Sequence, residues 1–209
     1  MPLFTESRLY TQADICASSL KTVASELDRK SRESAKAMQF DIFLAHCSTD
    51  RRLILGLWLA LEDLGFSVYI EHLQDRHLKR DNLNKESAGV LRRRMLSCKA
   101  LFVMKTANDS NSVWIPWEMA FKDGHNGKTA ILPIARQSTS RYVSEGIQGI
   151  YPYVTEDLNK NRERRLWIRN SPEDYVVFEK WLQGEAPCRR IDAVRGTTSI
   201  SPKLNRTPW

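Results

Sequence analysis

The segment Phe40-Asp41-Ile42-Phe43-Leu44-Ala45-His46-Cys47-Ser48-Thr49-Asp50 constrains this chain more than any other. Phe40, Ile42 and Leu44 alternate with polar or oppositely directed neighbours, the pattern of a strand. The alternation breaks at a run of small and acidic residues, and an apolar helical pattern follows from Leu53 to Leu64. A second strand pattern comes next, Ser67-Val68-Tyr69-Ile70-Glu71. Strand, polar loop and helix in that order put the loop side chains at the carboxyl end of a strand. Ligands of open α/β sheets bind at that end, so a small molecule is expected there.

The alternation continues along the chain. Strands are expected over 40–46, 67–71, 100–105 and 129–134, and helices over 50–64, 85–97 and 114–122. A polar loop spans 72–84, a second loop runs from Thr106 to Asn111, and Gly124 and Gly127 mark a turn. This order predicts an α/β fold, flavodoxin-like, with a five-stranded parallel sheet and helices on both faces. Leu166-Trp167-Ile168 reads as a further strand. Ser171, Pro172, Glu173 and Asp174 read as the cap and first turn of a helix. Before the sheet, Leu20, Val23 and Leu27 recur at helical spacing within residues 10–37, which predicts a leading helix. The expected organisation is an N-terminal helical extension over 1–37, a core domain over 38–184 and a basic flexible tail over 185–209.

Composition narrows the partners. A chain of 209 residues is long enough for one domain with a sizeable core. No apolar run approaches the roughly 18 residues of a membrane span. Met1 to Tyr10 lacks a charged-then-apolar leader pattern, so a cytoplasmic protein without a membrane partner is expected. Cys16, Cys47, Cys98 and Cys188 are scattered without metal spacing, as are His72, His77 and His125. The formal net charge of +7 owes much to Arg92-Arg93-Arg94 and to Arg189, Arg190, Arg195, Lys203 and Arg206. The three consecutive arginines share a helix with Ala88, Leu91 and Met95 and have no interleaved aromatics. A solvated or partner-facing surface fits them better than a nucleic-acid interface.

In a flavodoxin-like sheet the first and third strands of this series are neighbours, and their following loops line one crevice. Those loops are His46 to Arg51 and Thr106 to Ser112. The second runs into Ser112-Val113-Trp114-Ile115-Pro116-Trp117-Glu118-Met119-Ala120-Phe121. Proline is tolerated in a first helical turn, so the helix is expected to begin close to Ile115 with Glu118 in that turn. Glu118, Trp114, Trp117, His46, Ser48 and Asp50 then converge. Each also has a structural use. A glutamate suits the positive end of a helix, Ser48 and Asp50 suit the cap of the helix they precede, and tryptophans fill cores. A histidine at a strand end is commonly held by a hydrogen bond.

Taken in order, these segments resemble a Toll/interleukin-1 receptor (TIR) domain of the bacterial type. Phe40 through Asp50 is similar to the family's first box, an apolar strand ending in Ser/Ala-His-x-Ser-x-Asp. Leu64-Gly65-Phe66-Ser67-Val68-Tyr69 is similar to its helix-to-second-strand passage. Ser112-Val113-Trp114 through Glu118 resembles the Ser-x-Trp-x-x-x-Glu segment of the NAD-cleaving members, and Ala130-Ile131-Leu132-Pro133-Ile134 the strand after it. The match runs over about 38–135 and extends toward 183. The loop 72–84 departs from the pattern, having neither the proline nor the glycine common there. The leading helix and the basic tail lie outside the family's core.

The resemblance implies an NAD glycohydrolase or cyclase that breaks the nicotinamide–ribose bond, with Glu118 catalytic and His46, Ser48, Asp50, Trp114 and Trp117 binding substrate. NAD is then a substrate and no cofactor or metal is implied. Cleavage builds an oxocarbenium-like ribose, which a carboxylate stabilises as it does in glycosidases. The product would be ADP-ribose or a cyclised or adducted form, and bacterial members resemble antiphage defence components whose nucleotide signal reaches a partner effector. Self-association into an active oligomer or filament is also implied. The alternative is a non-enzymatic TIR scaffold that signals by assembly; such adaptors need no acid at the position of Glu118.

Overall fold

The computed structural model describes residues 4–17, 22–34, 37–47, 49–75, 85–107, 112–137 and 149–189. Ser48, the loop residues Arg76, Lys79, Arg80 and Asp81, and the tail from Arg190 onward lie outside them. Two short N-terminal elements, β1 (Phe4–Thr5) and α1 (Glu6–Ala17), are followed by α2 (Val23–Ser34). The alternating core follows as β2 (Phe40–Ala45), α3 (Arg51–Asp63), β3 (Val68–Tyr69), α4 (Glu71–Gln74), α5 (Lys85–Ser97), β4 (Cys98–Lys105), α6 (Trp114–Asn126) and β5 (Thr129–Ala135). The chain then forms β6 (Tyr153–Leu158), β7 (Arg164–Arg169), β8 (Asp174–Val177), α7 (Phe178–Leu182) and β9 (Cys188–Arg189).

Among the described residues one sheet runs β3-β2-β4-β5-β6-β7-β8-β9, with β1 set beside β5. Its first five strands, β3 to β6 in that order, are parallel. The α/β, flavodoxin-like class expected from the sequence is therefore the one observed. Strand β2 sits inside this set and buries both faces. Ile42 and Leu44 join α1, α2, α3 and α7 in the larger core, whereas Phe40, Phe43 and Ala45 join α5 and α6 in the second. Near-continuous apolar residues are what a parallel strand covered on both sides requires.

Four features differ from the sequence reading. The leading segment forms two helices, not one, and Phe4, Leu9, Ala13 and Leu27 share the larger core with α3. The fifth parallel strand is β6, whose pattern is interrupted by Glu156 and Asp157. Glu156 is buried where an apolar residue is expected, and Arg8 (2.7 Å) and Arg164 (2.5 Å) neutralise it there. Leu166-Trp167-Ile168 is a strand, but an antiparallel one that extends the sheet. No helix begins at Ser171. The Ser171 hydroxyl accepts from the amides of Glu173 and Asp174, both at 3.1 Å, and shapes the turn between β7 and β8. Serine followed by acidic residues serves turns as readily as helix caps, and the pairing of Asp174–Val177 with β7 decides for the turn.

Helix α1 lies directly on α3 because Gly56 lets it. A Cβ at that position would collide with the backbone carbonyl of Leu9. Gly56→Ala should therefore destabilise the protein by about 1–3 kcal/mol, the usual cost of overpacking. Gly124 in α6 is exposed, and a Cβ added there would meet nothing within 4 Å. Gly124→Ala should stabilise by about 0.5–1 kcal/mol through helix propensity alone. Urea unfolding of both variants checks the pair, and an unchanged midpoint in Gly56→Ala would contradict the close α1–α3 contact.

Candidate active site

The register Ala45↔Val103 puts the ends of β2 and β4 side by side. The loops that follow these strands therefore leave from one edge of the sheet. Their helices go to opposite faces, α3 to the larger core and α6 to the second. This divergence is the topological switch point of a doubly wound sheet, where a crevice opens.

Helix α6 begins at Trp114, one residue earlier than expected from Pro116. The Ser112 hydroxyl accepts from the amides of Trp114 (3.2 Å) and Ile115 (3.4 Å), two of the four donors a helix start leaves open. Glu118 consequently starts the second turn and is not part of the first. Its side chain is fully buried, on the same helix face as Ile115, Met119 and Lys122. A carboxylate at that position costs far more to bury than an apolar residue would. Such costs concentrate at functional sites.

Lys122, one turn further along the same face, is also fully buried. Its ammonium donates to the carbonyls of Met95 (2.9 Å) and Cys98 (2.5 Å). Met95 lies in the last turn of α5, so Lys122 satisfies a carbonyl that the helix end leaves open. Burial lowers the pKa of Lys122 and pushes the neighbouring Cys98 thiol up to about 12. Sequence reasoning missed this anchor. Its only signal was a lysine four residues after Glu118 on an otherwise apolar face.

The two tryptophans differ in surroundings. Trp114 is 4% exposed and belongs to the second core, its ring edge-to-face with Trp117 at 5.6 Å. Trp117 is half-buried, stacks on Phe121 at 6.0 Å and carries the Arg92 guanidinium 5.7 Å from its ring centre. An aromatic face with a cation over it is stabilised electrostatically.

The loop after β2 divides its residues between the two layers. His46 is buried. Cys47, which the sequence reading left aside, packs against the second core that holds Trp114. Asp50 caps α3: one carboxylate oxygen accepts from the amides of Arg52 and Leu53, both at 3.0 Å. The other accepts from the Tyr10 hydroxyl at 2.7 Å, a bond that pushes the Tyr10 phenol up to about 12. The structure thus gives Asp50 its capping use and turns its carboxylate toward α1. Ser48 lies outside the described residues.

Beyond β3 stands a cluster that sequence reasoning did not find. Buried Tyr69 donates to Asp75 at 2.6 Å, and Arg94 of α5 donates to the same carboxylate at 2.7 and 3.2 Å. The Arg94 guanidinium also lies 5.4 Å from the Tyr69 ring centre. Burial first, then the Asp75 hydrogen bond, holds the Tyr69 phenol far above its ordinary pKa. Glu71, beside it, is buried as well. Among the described residues no group of three His, Cys, Asp or Glu side chains could hold a metal ion. Nor is any helix among them long and apolar enough to cross a membrane.

Fold and site together define a flavodoxin-like α/β protein whose ligand edge lies at the ends of β2 and β4, with a buried acid on the helix after β4. No protein-family model matches the chain. It is 37% identical over 190 residues to ThsB′ of Bacillus cereus (strain MSX-D12), provisionally named a 3′ cyclic ADP-D-ribose synthase, with 84% of this chain and 98% of that protein covered. It is 28% identical over 83 residues to TIR2 of Cytobacillus dafuensis, provisionally named a cyclic ADP-D-ribose synthase, a match spanning 39% of this chain and 22% of that relative. The chain belongs to the TIR-domain family that includes ThsB′.

The contrast between the tryptophans is testable. Trp114→Ala should cost about 3–5 kcal/mol, as deletion of a buried aromatic does. Trp117→Ala should cost about half of that or less, since its ring is only partly removed from water. Denaturant unfolding measures both, and equal losses would contradict the burial difference.

Proposed function

We propose that this chain cleaves the nicotinamide–ribose bond of NAD and releases a cyclic ADP-ribose as a signal, with Glu118 as the catalytic carboxylate. The observation that carries this reading is the fully buried Glu118 on the helix over the switch point. The names of ThsB′ and TIR2 support the cyclic product. As nicotinamide leaves with the bonding electron pair, positive charge develops on the ribose. A carboxylate in a dry, low-dielectric site stabilises that charge far better than one in water. A hydroxyl of the same ADP-ribose then bonds the anomeric carbon and loses its proton, closing the ring; attack by water in its place gives ADP-ribose. Nicotinamide is a good leaving group, so neither a metal nor a cofactor enters this scheme.

Trp117, half-buried and next to the acid in sequence, supplies aromatic surface for a flat ring, with the buried Trp114 packed edge-to-face behind it, and His46 with the loop through Ser48 would hold ribose or phosphate. Asp50 contributes by fixing that loop at the head of α3. A non-enzymatic scaffold needs no acid at this position.

Glu118 is fully buried within a single chain, out of reach of a substrate in this conformation. This supports a resting monomer of low activity that becomes active on self-association, which spares cellular NAD until a trigger arrives. The released nucleotide would act on a partner effector in antiphage defence within the cytoplasm.

Glu118→Gln should keep the fold and abolish NAD turnover, because it keeps the shape and removes the charge. Circular dichroism and nicotinamide release check the two halves, and turnover retained in a folded variant would end the assignment. Specific activity of the wild type should rise with protein concentration; a flat profile in protein shown to be monomeric throughout would exclude activation by assembly.

A further inference from the structure

The two N-terminal helices lie on the face of the sheet opposite Glu118, yet each sends one hydroxyl to the ligand edge. From α1, Tyr10 donates to Asp50 at 2.7 Å, and the other oxygen of Asp50 holds the first amides of α3. From α2, the buried Ser31 hydroxyl donates to the carbonyl of Leu73 in α4, the helical turn that leads out of β3. One helix therefore grips the loop after β2 and the other grips the segment after β3.

Other contacts fix the helices themselves. Leu9 of α1 rests against Gly56 of α3. Asp14 accepts from Arg52 at 2.5 and 3.1 Å, and that guanidinium lies 4.9 Å from the Tyr10 ring centre. In α2, buried Lys30 bonds Glu62 and sits 5.6 Å from the Trp58 ring centre, while the Trp58 indole donates to Glu62 at 2.7 Å. Strand β1 pairs with β5, and Arg8 binds Glu156 of β6. With the helical pair held at so many points, the Tyr10 and Ser31 hydroxyls are redundant for keeping it in place. Their partners, Asp50 and Leu73, belong instead to the connecting segments at the carboxyl ends of β2 and β3. On the opposite side the latter segment is met by Arg94 and Tyr69 through Asp75.

We propose that Tyr10 and Ser31 are positioning residues: through these two hydrogen bonds the N-terminal helical pair sets the placement of both segments and thereby the affinity of the site for its dinucleotide. The proposal rests on the NAD reading above. It assigns the helices outside the family's core a function in substrate binding, separate from the charge stabilisation by Glu118, which neither hydroxyl touches.

The test uses Tyr10→Phe, Ser31→Ala and the double variant of the full chain, each losing one or two hydroxyls and little volume. Nicotinamide release gives KM and kcat for NAD, and amide hydrogen exchange reports on residues 49–55 and 70–75. Each single variant should raise KM by about threefold to tenfold, the worth of one hydrogen bond. Its kcat should stay within about twofold, since an interaction lost equally from bound substrate and transition state appears in KM. Exchange should quicken at Arg52 and Leu53 in Tyr10→Phe and across 70–75 in Ser31→Ala. Ser31→Thr, which keeps a hydroxyl, should restore both readouts. An unchanged KM alongside quickened exchange overturns the proposal, as does a kcat that falls in step with the melting temperature. If the wild type releases no nicotinamide, the NAD reading fails on its own; the positioning claim then stands or falls on exchange, and unaltered rates at both segments overturn it.

Discussion

Strand β2 has parallel neighbours on both sides, and the rest of the molecule follows from what that demands. A strand so placed must bury both faces, so its side chains alternate between two cores. Ile42 and Leu44 serve one, Phe43 and Ala45 the other. Each core then needs its own helical layer, with α3 going one way and α6 the other. Because the connections diverge from neighbouring strand ends, the ends of β2 and β4 are left as an edge that neither layer closes by packing. The first-box loop and the acid-bearing helix meet at that edge as a result of topology, before any side-chain chemistry is considered.

Helix α6 is built to hold its acid rigidly. Glu118 and Lys122 share one buried face, and both are fully removed from water. Lys122 is compensated by two carbonyls at the α5–β4 corner, which ties α6 to the framework one turn away from the acid. Preorganisation of this kind lets a charge act on a developing cation without reorganising first. The N-terminal helices complete the frame from the other face. Their polar contacts concentrate on α3, α4 and the connecting segments, which makes them part of the domain's working structure although they precede its recognisable motifs.

The sequence was most readable where the buried residues carry no charge. The period-two pattern of Phe40–Leu44 and the apolar run of α3 announced strand and helix correctly, and the order of elements announced the parallel sheet. It misled where charge is paired inside. Glu156 hides in β6 only because Arg8 and Arg164 neutralise it, the first of them from the other end of the chain. Ser171 carries a cap signal that the β7–β8 pairing converts into a turn. Arg94 meets Asp75 across 19 residues of chain and Lys122 meets the Met95 carbonyl across 27, and periodicity carries no trace of either pairing. Glu118 was legible as a candidate because Pro116 fixes the helix start nearby; its complete burial was not.

On the proposed reading, the buried acid at this switch point serves cleavage and closure of NAD. Incubation of the purified wild-type chain with NAD at high protein concentration, with products resolved by mass spectrometry, tests it most directly. Equimolar nicotinamide and an ADP-ribose species lighter than ADP-ribose by one water, the mark of ring closure, are expected. Unconsumed NAD at every protein concentration, in protein shown to be folded and assembled, would contradict it.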